Sequence, residues 1–422
     1  MSELPSRPLN SASLATAVTE VGRRFDDRIA TANLPVHRAS TVLFDTLAQA
    51  AAEGRAVGEG VLHASTYGTA GTPTTYALMD ALAAIEGAGH PCRAALMPSG
   101  LAAISVALLA VVKTGDHVLM SDSVYGPARN FAQGMLKGLG VETTFHDPAL
   151  DAEGLGALIR PNTRVIYLES PGSYTFEIQD VPAICAMARA RGVITMIDNA
   201  WASPVFARPF DWGVDMSILP LTKYWSGHAD VLMGAVVVRE ALWPAVWSAV
   251  RALGICVGGD DAFLILRGLR TVDVRMRRHE QSAFEVARWL EARPEVRRVL
   301  HPGLPSHPGH ALWKRDFLGA SGLFSFELDP AAFADASPAG VERGLAALCE
   351  RRRLFRIGYS WGGYESLMIP GRLGGIRTVH PWQGGPLVRV HIGLESPADL
   401  IADLETGLAA LRTAGATPIT GA

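Results

Sequence analysis

Cysteine is scarce in this 422-residue sequence, and its distribution argues against two kinds of stabilised fold. The four cysteines lie far apart and form no CxxC pair: Cys92, Cys185, Cys256 and Cys349. Disulfide frameworks and zinc sites both require cysteines that are clustered or regularly spaced. We therefore expect reduced thiols, as in cytosolic proteins, and no bound metal.

An excess of one charge and long apolar runs are also lacking. The formal net charge is −3, with acidic and basic residues mixed, so no nucleic acid is expected as a partner. No apolar run approaches the ~20 residues that a membrane-spanning helix needs, so no membrane partner is expected either. The N-terminal stretch MSELPSRPLNSASLATAV has no basic start followed by an apolar segment, unlike a secretory signal. We predict a cytoplasmic location.

What the chain has in quantity is apolar sequence in short runs. Apolar residues make up 49% of it, enough for a large core divided over two or three domains. Between about residues 90 and 240, these runs alternate with helical patterns such as LAAISVALLAVVK and VPAICAMARARG. This alternation predicts an α/β domain with a largely parallel sheet covered by helices on both faces. The runs are RAALM (93–97), DHVLM (116–120), VETTF (141–145), RVIYLE (164–169), VITMID (193–198), MSILP (216–220) and AVVVR (235–239).

Two other regions have different patterns. A long helical stretch over about 261–292 is followed by strand patterns at 296–302, 322–328 and 386–394, which predict a smaller α+β domain. Residues 1 to about 70 have few strong elements and many polar breaks. We interpret them as an arm.

Residues of chemical interest follow the predicted strands, where open α/β sheets bind their ligands. After RAALM, Gly100 and Leu101 begin a helix whose N–H groups suit a phosphate, although an ordinary strand-to-helix turn has the same pattern. After DHVLM, Tyr125 precedes a Gly-Pro turn and either presents its ring to a flat cofactor or lies at the surface. After VITMI, Asp198 either caps the next turn or pairs with a partner such as a protonated ring nitrogen.

A lysine within the apolar segment ILPLTKYWSGHADVLMGAVVV connects these positions. A buried ammonium is unfavourable unless it is paired, so Lys223 either extends to solvent or works in another chemical state. Pyridoxal phosphate chemistry requires a lysine held as a Schiff base together with an aspartate on the pyridinium nitrogen. An extended lysine explains Lys223 alone, whereas a pyridoxal phosphate site also explains Gly100 and Asp198. Arg389, inside the strand pattern PLVRVHIGLE, fits either a substrate carboxylate or a structural salt bridge.

Ten segments resemble the Cys/Met-metabolism family of pyridoxal phosphate (PLP) enzymes, also called trans-sulfuration enzymes. They are most similar to the cystathionine β-lyases within that family. They occur in the family's order between about residues 36 and 410: YGTAGTPTTYALMDALAAIEG, MPSGLAA, VYGPAR, YLESPGS, IDNAWAS, LTKYWSGHADVLMG, RGLRTVDVRMRRHEQSA, SGLFSFEL, YSWGGYESL and LVRVHIGLE.

The resemblance implies an architecture and an assembly. The expected fold is fold type I of the PLP-dependent transferases, with a mostly parallel seven-stranded sheet and a smaller α+β C-terminal domain. The chain then divides into an arm at 1–70 that contributes to the partner subunit's active site, a large PLP-binding domain at 71–268 and a C-terminal domain at 269–422. A homotetramer, built as a dimer of dimers, is the expected assembly.

The resemblance also implies roles around the cofactor ring. Lys223 forms the Schiff base and transfers protons, and Asp198 keeps the pyridinium nitrogen protonated. Tyr125 stacks on the ring, and Tyr67 reaches the cofactor from the partner subunit. Lys223 and these two tyrosines are the predicted catalytic residues.

At the cofactor phosphate, the resemblance implies N–H groups from Gly100 and Leu101 and a hydroxyl from Thr222. Two positions depart from the family pattern. Thr69 stands where members commonly have an arginine that grips the partner subunit's phosphate, and Pro220 stands where many have a serine. We predict that Thr69 gives at most a hydrogen bond and that cofactor retention relies on the Gly100 helix end.

For the substrate, the resemblance implies a sulfur-containing amino acid bound in part by YSWGG. Ser360 and Arg389 hold its carboxylate, and Tyr359 and Trp361 complete the substrate site. Gamma-type members usually have leucine in place of Trp361, so the tryptophan indicates the β-lyase type, as does Trp201. The implied reaction is β-elimination of L-cystathionine to homocysteine, pyruvate and ammonia. The alternatives are a related activity (cystathionine γ-lyase or γ-synthase, methionine γ-lyase or cysteine desulfhydrase) or a PLP-binding regulatory protein.

Overall fold

A seven-stranded sheet lies at the centre of the chain, which the computed structural model describes over residues 13–22 and 31–414. Its order is β1-β7-β6-β5-β4-β2-β3; β7 is antiparallel to both neighbours, and the other pairs are parallel. The ends of every strand lie within one residue of the predicted run. The four parallel pairs confirm the prediction of a mostly parallel sheet. The strands are β1 (Cys92–Met97), β2 (His117–Ser121), β3 (Glu142–His146), β4 (Thr163–Glu169), β5 (Ile194–Asp198), β6 (Met216–Leu219) and β7 (Gly234–Arg239).

Helices cover both faces of this sheet. In α7, apolar residues recur at helical spacing from Val181 to Ala188, and the side chain of Asp180 caps the first turn by accepting the N–H of Ala183. The helices are α1 (Leu14–Glu20), α2 (Leu47–Gly58), α3 (Pro73–Gly87), α4 (Gly100–Leu109), α5 (Gly126–Phe131), α6 (Ala152–Ala157), α7 (Val181–Ala190), α8 (Ser203–Phe206), α9 (Trp243–Ala252), α10 (Gly259–Leu269), α11 (Val272–Glu291), α12 (His310–Asp316), α13 (Pro338–Cys349) and α14 (Pro397–Thr413).

A second, antiparallel sheet follows in the order β10-β11-β9-β8. Its strands are β8 (Val296–Leu300), β9 (Leu323–Leu328), β10 (Leu367–Gly371) and β11 (Leu387–His391). Helices α11, α13 and α14 enclose its separate apolar core. The predicted helical stretch is two helices, α10 and α11, and β10 is a strand that the sequence pattern did not reveal because Pro370 interrupts its short apolar run.

The predicted arm contains helices α1 and α2, while residues 1–12 and 23–30 lie outside the described residues. Thr41 and Tyr67 form an isolated antiparallel bridge beyond α2. Helix α3 begins with a capping box in which Thr72 and Thr75 exchange side-chain and backbone hydrogen bonds. All four cysteines are unpaired. Within the described ranges, no helix combines the length and apolar character that crossing a membrane requires.

Candidate active site

The structure brings Lys223 and Asp198 to the carboxyl edge of the large sheet. Asp198 ends β5 in register with Ile218 of β6, and Lys223 lies in the turn that follows β6. Burial raises the pKa of Asp198 to about 7, although the Lys223 charge acts in the opposite direction. Burial also lowers the pKa of Lys223 to about 8, and the nearby charge of Arg389 adds to this effect. A carboxyl group and an amine are thus both close to their titration points near neutral pH.

Asp198 has unused hydrogen-bonding capacity. Its side chain is buried, and Oδ1 accepts the N–H of Ala200 at 3.0 Å. A carboxylate has room for several donors, and one that is buried needs them to keep its charge. The bond to Ala200 caps the turn, one alternative that the sequence left open, and the remaining capacity suits a protonated nitrogen, the other alternative.

A second carboxyl group lies beside Asp198, and sequence analysis missed it. Glu169 ends β4 in register with Asp198, and its Oε2 accepts the N–H of Tyr125 at 2.6 Å. Burial and the negative charge of Asp198 raise the pKa of Glu169 well above its usual range. This hydrogen bond holds Tyr125 at the start of α5, where the residue is 43% exposed. The signal was available in the sequence, because Glu169 ends an apolar run as Asp198 does.

The predicted phosphate turn is a close-packed helix start. Ser99 caps α4 by accepting the N–H of Ala102 at 3.1 Å, and the N–H groups of Gly100 and Leu101 belong to the first turn, which has no acceptors within the helix. A Cβ on Gly100 would lie 2.8 Å from Cβ of Pro220, so a side chain there would fill the turn. These features form a cradle for an anion at a helix N-terminus.

The Thr222 hydroxyl, predicted to contribute to the phosphate site, is hydrogen-bonded to the chain that leads into β7. Its Oγ1 accepts the N–H of Met233 at 3.0 Å and donates to the carbonyl oxygen of the same residue at 3.2 Å. The hydroxyl thereby joins the lysine turn to the chain entering β7. Its proton is already used in this pairing, which leaves the α4 N-terminus as the main donor group of the turn.

The loop 359–363 lies directly over the lysine. Lys223 Nζ donates to Ser360 Oγ at 2.8 Å, and the Trp361 ring centre is 5.0 Å from Nζ. Gly362 has φ +90°, and a Cβ there would lie within 3.0 Å of Lys223 Cα. The imidazole Nε2 of His391 lies 3.2 Å from the backbone N of Gly362. Only a glycine fits this approach, so Trp361 is held close to the lysine amine.

Arg389 lies at the same site, on the second sheet. It is 8% exposed and donates from Nη2 to the carbonyl oxygen of Tyr359 at 3.1 Å, while the Tyr359 side chain is 87% exposed. Its Cζ is 5.0 Å from the centre of the Tyr174 ring. Within the described residues, no carboxylate forms an ion pair with Arg389, so its guanidinium can receive an anionic ligand.

Tyr67 and Trp201 lie in other surroundings. The Tyr67 ring is 52% exposed, and its backbone contacts Thr41 and Ser65. Trp201 is buried, and its Nε1 donates to the carbonyl oxygen of Leu323 at 2.8 Å, which ties the end of β5 to the second sheet. A single chain thus assembles the lysine, the aspartate and the arginine, while the contacts of Tyr67 given above are with its own segment.

Comparisons with known proteins give a consistent result. Residues 15–409 match the model of the family described as Cys/Met metabolism PLP-dependent enzymes. A putative cystathionine beta-lyase of Rhizobium johnstonii is 47% identical, covering 95% of this chain and 97% of that protein. The cystathionine beta-lyase MetC of Escherichia coli is 41% identical, covering 94% and 98%.

Other similar proteins carry different names. An L-alanine/L-glutamate racemase of Wolbachia pipientis is 40% identical, covering 93% of this chain and 96% of that protein. Among solved structures, a cystathionine gamma synthase from Xanthomonas oryzae pv. oryzae, in complex with aminoacrylate and cysteine, has a TM-score of 0.83 at 29% identity, covering 95% and 99%. One scaffold therefore serves several reactions on amino acids.

Proposed function

Since this chain belongs to the Cys/Met metabolism PLP-dependent enzyme family, we propose that it is a carbon–sulfur lyase. The proposed reaction is β-elimination of L-cystathionine, which releases homocysteine, pyruvate and ammonia. The observation that carries the proposal is the placement of Lys223 beside Asp198, with the Trp361 ring 5.0 Å from the lysine amine. The names of the beta-lyase relatives, at 47% and 41% identity, support the same reaction.

The residues of the site fit pyridoxal 5'-phosphate, the cofactor of the family. Asp198 offers a buried carboxyl group to the ring nitrogen, and Lys223 offers an amine to the aldehyde. The start of α4 at Gly100 offers N–H groups and its positive dipole end to the phosphate. Bound there, the cofactor supplies an electron sink that stabilises negative charge on the substrate Cα.

The chain's own residues account for the proton transfers in the proposed reaction. Because the pKa of Lys223 is lowered to about 8, an appreciable fraction of its Nζ is neutral near pH 7 to 8 and can accept the proton from Cα. A proton held on Lys223 or on a tyrosine then goes to the departing sulfur. Ser360 Oγ, 2.8 Å from Nζ, orients the amine.

Recognition of the substrate falls to the residues on the second sheet and its loop. Arg389 presents its planar guanidinium to the α-carboxylate, and Ser360 adds a hydroxyl. Trp361 forms a wall beside the amine and keeps water away from the reacting atoms. Tyr359 contributes its backbone carbonyl, which fixes Arg389 in place.

The remaining proposals concern assembly and location. We propose a homotetramer in which the arm at 1–70 covers the partner subunit's active site, next to a PLP-binding domain at 71–268 and a C-terminal domain at 269–422. Leu43 and Leu47 are 88% and 90% exposed, which supports an arm that is buried by a second copy. Tyr67 then reaches the cofactor of the partner, and the cytoplasm is the proposed location.

An assay on purified protein reconstituted with PLP tests the reaction. We expect visible absorbance from the lysine-bound cofactor and release of pyruvate from L-cystathionine. Release of 2-oxobutyrate in place of pyruvate would move the assignment to γ-cleavage. Cofactor binding without turnover would favour the regulatory alternative.

Racemisation is a second candidate function, favoured by the name of the Wolbachia pipientis relative. Removal of the α-proton by Lys223 is common to both reactions, and a racemase returns a proton to the opposite face of Cα. Chiral analysis after incubation with L-alanine or L-glutamate separates the two. D-enantiomers without pyruvate from L-cystathionine would replace the lyase proposal.

A further inference from the structure

Tyr174 has a backbone conformation that is unfavourable for its residue type. Its φ is +67°, in the left-handed region, and Phe176 in the same loop has φ +58°. Large L-residues seldom adopt this region, because Cβ crowds the following carbonyl oxygen. Strained residues of this kind persist only where the surroundings impose the conformation, and they concentrate at functional sites. The loop 172–177, which follows β4, therefore requires an explanation.

The loop is held by a buried arginine from the segment after β10. Arg377 is 5% exposed, and its Nη1 donates to Glu177 Oε1 at 2.7 Å. Its Nη2 bonds to Thr175 Oγ1 and donates to the carbonyl oxygen of Ser173 at 3.3 Å. Arg377 thus ties both sides of Tyr174 to the segment before β11.

The large sheet fixes the same loop from the other side. The N–H of Ser173 donates to the carbonyl oxygen of Ser123 at 2.8 Å, and Gly172 and Glu177 pair through their backbones at 2.9 Å. A Cβ on Gly172 would lie 2.4 Å from Ser123 Oγ, so the loop approaches the turn that follows β2 as closely as a glycine permits. These contacts together impose the strained conformation on Tyr174.

The consequence is a tyrosine ring beside the guanidinium of Arg389. The distance from Arg389 Cζ to the ring centre is 5.0 Å, and burial lowers the pKa of Arg389 from its ordinary value. A guanidinium on an aromatic face keeps its N–H edges free for a planar anion. The arginine has few other restraints, since the hydrogen bond to Tyr359 uses one of its five N–H groups.

We propose that Tyr174 is a substrate-positioning residue that acts through Arg389. Its ring holds the guanidinium in the orientation that receives the α-carboxylate of an amino-acid substrate, and Arg377 maintains the ring through the strained loop. The proposal rests on the proposed function for the identity of the substrate. It adds to the substrate site a residue from the loop that follows β4, opposite the second sheet that carries Arg389.

Three substitutions at one position test the proposal. Tyr174→Leu removes the ring and should raise KM for L-cystathionine by roughly 3- to 30-fold with little change in kcat, which is the range for a desolvated cation–π contact. Tyr174→Phe keeps the ring and should restore KM to near the wild-type value. Tyr174→Asn removes the ring but tolerates positive φ, so it should raise KM while the melting temperature stays equal or increases. Tyr364→Leu, at a tyrosine that is 57% exposed, is the matched control.

The result that overturns the proposal is a Tyr174→Leu variant whose KM stays within twofold of the wild-type value. A KM increase of equal size in an Arg389→Gln background, which has no cation to pair with the ring, would also overturn it, because the ring would then act independently of the guanidinium. Titration of cofactor-bound protein with L-alanine, followed by visible absorbance, repeats the comparison without turnover. If the wild type binds L-alanine in this titration but releases no pyruvate from L-cystathionine, the lyase proposal fails, while the titration still decides the role of Tyr174.

Discussion

The carboxyl edge of the large sheet buries an ionisable side chain, whereas the segment 41–67 exposes large apolar ones. At the sheet edge, the charged side chain of Asp198 is 7% exposed and lies among partners from the same chain. Along 41–67, the apolar side chains of Leu43 and Leu47 are 88% and 90% exposed. Burying a charge is unfavourable unless it is paired, and exposing large apolar side chains is unfavourable unless they are later covered.

The difference indicates which part of the site is complete in one chain. Lys223, Asp198 and Arg389 are positioned by contacts within the chain and should keep their arrangement whatever its partners. Tyr67 lies in the exposed segment, so its contribution should depend on a second copy.

The largest loss of activity should follow a substitution at Lys223, whose position is fixed within one chain. Lys223→Ala removes the amine that we propose to bind the cofactor and to accept the α-proton, and kcat should fall by at least ~10²- to 10⁴-fold, the usual contribution of such a group. Lys137→Ala, at an exposed lysine, is the control and should retain activity. Steady-state kinetics of both variants provide the measurement. A Lys223→Ala enzyme within tenfold of the wild type would show that the lysine is not the base.

A mixing experiment tests the exposed segment. We expect Tyr67→Ala and Lys223→Ala proteins to be nearly inactive alone and to regain activity when they are unfolded and refolded together. Random pairing gives roughly a quarter of the sites both wild-type residues, if Tyr67 serves the partner's site. Specific activity of the mixture is the measurement. No recovery, with dimers confirmed by light scattering, would place Tyr67 in the site of its own chain.

A smaller effect should appear at the buried end of α3, next to the sheet edge. Glu86 is 1% exposed and accepts hydrogen bonds from Asn199 and Ser217, and burial raises its pKa from 4.5 to about 7. A folded-state pKa above the unfolded value means that the folded form binds more protons between these two pH values. The contribution of Glu86 to the free energy of unfolding is therefore largest below pH 4.5. It falls as pH rises towards 7 and no longer changes above that pH.

Glu86→Gln should remove this pH dependence. The variant should gain stability relative to the wild type on going from pH 4.5 to above pH 7, by about 3 kcal/mol at most. Urea unfolding of both proteins at pH 5 and pH 8 measures the difference, with Glu285→Gln at an exposed position as the control. An equal stability difference at the two pH values would mean that Glu86 is already ionised at pH 5.

The smallest effect should come from Thr69, an exposed residue just after the segment 41–67. Thr69→Arg would introduce the cation that the resemblance leads us to expect at this position, and cofactor loss on dialysis should slow by roughly two- to fivefold, as for a partly exposed ion pair. Thr69→Gln has a similar length without charge and should behave like the wild type. Unchanged retention in the arginine variant would show that the α4 N-terminus already binds the phosphate fully.

Much of the site could be predicted because it follows directly from strands. Asp198 and Lys223 come after apolar runs, and chain order alone brings the ends of β5 and β6 together. The strand β10 could not be predicted, because five residues with a proline carry too weak a pattern. Nor could the role of the Thr222 hydroxyl, which depends on a contact with Met233 after a long turn.

Glu169 and Tyr174 also differ in how far the sequence could predict them. Glu169 was visible as an acid at the end of an apolar run, yet its hydrogen bond to the Tyr125 N–H requires two strands to be adjacent. Tyr174 has no sequence signal at all. Its position depends on Arg377, about 200 residues further along, and on a backbone angle that a tyrosine adopts only under constraint.

The amino-acid sequence by itself determined the seven strands, the chemistry available at their ends and the family to which the chain belongs. These features are local, because hydrophobic periodicity and strand order fix which residues reach one edge of a sheet. The tertiary structure decided which groups face each other across the two sheets: Arg389 with Tyr174, and Trp361 over Lys223. Those contacts join segments far apart in the chain, and their geometry arises only when two separately packed cores are brought into contact.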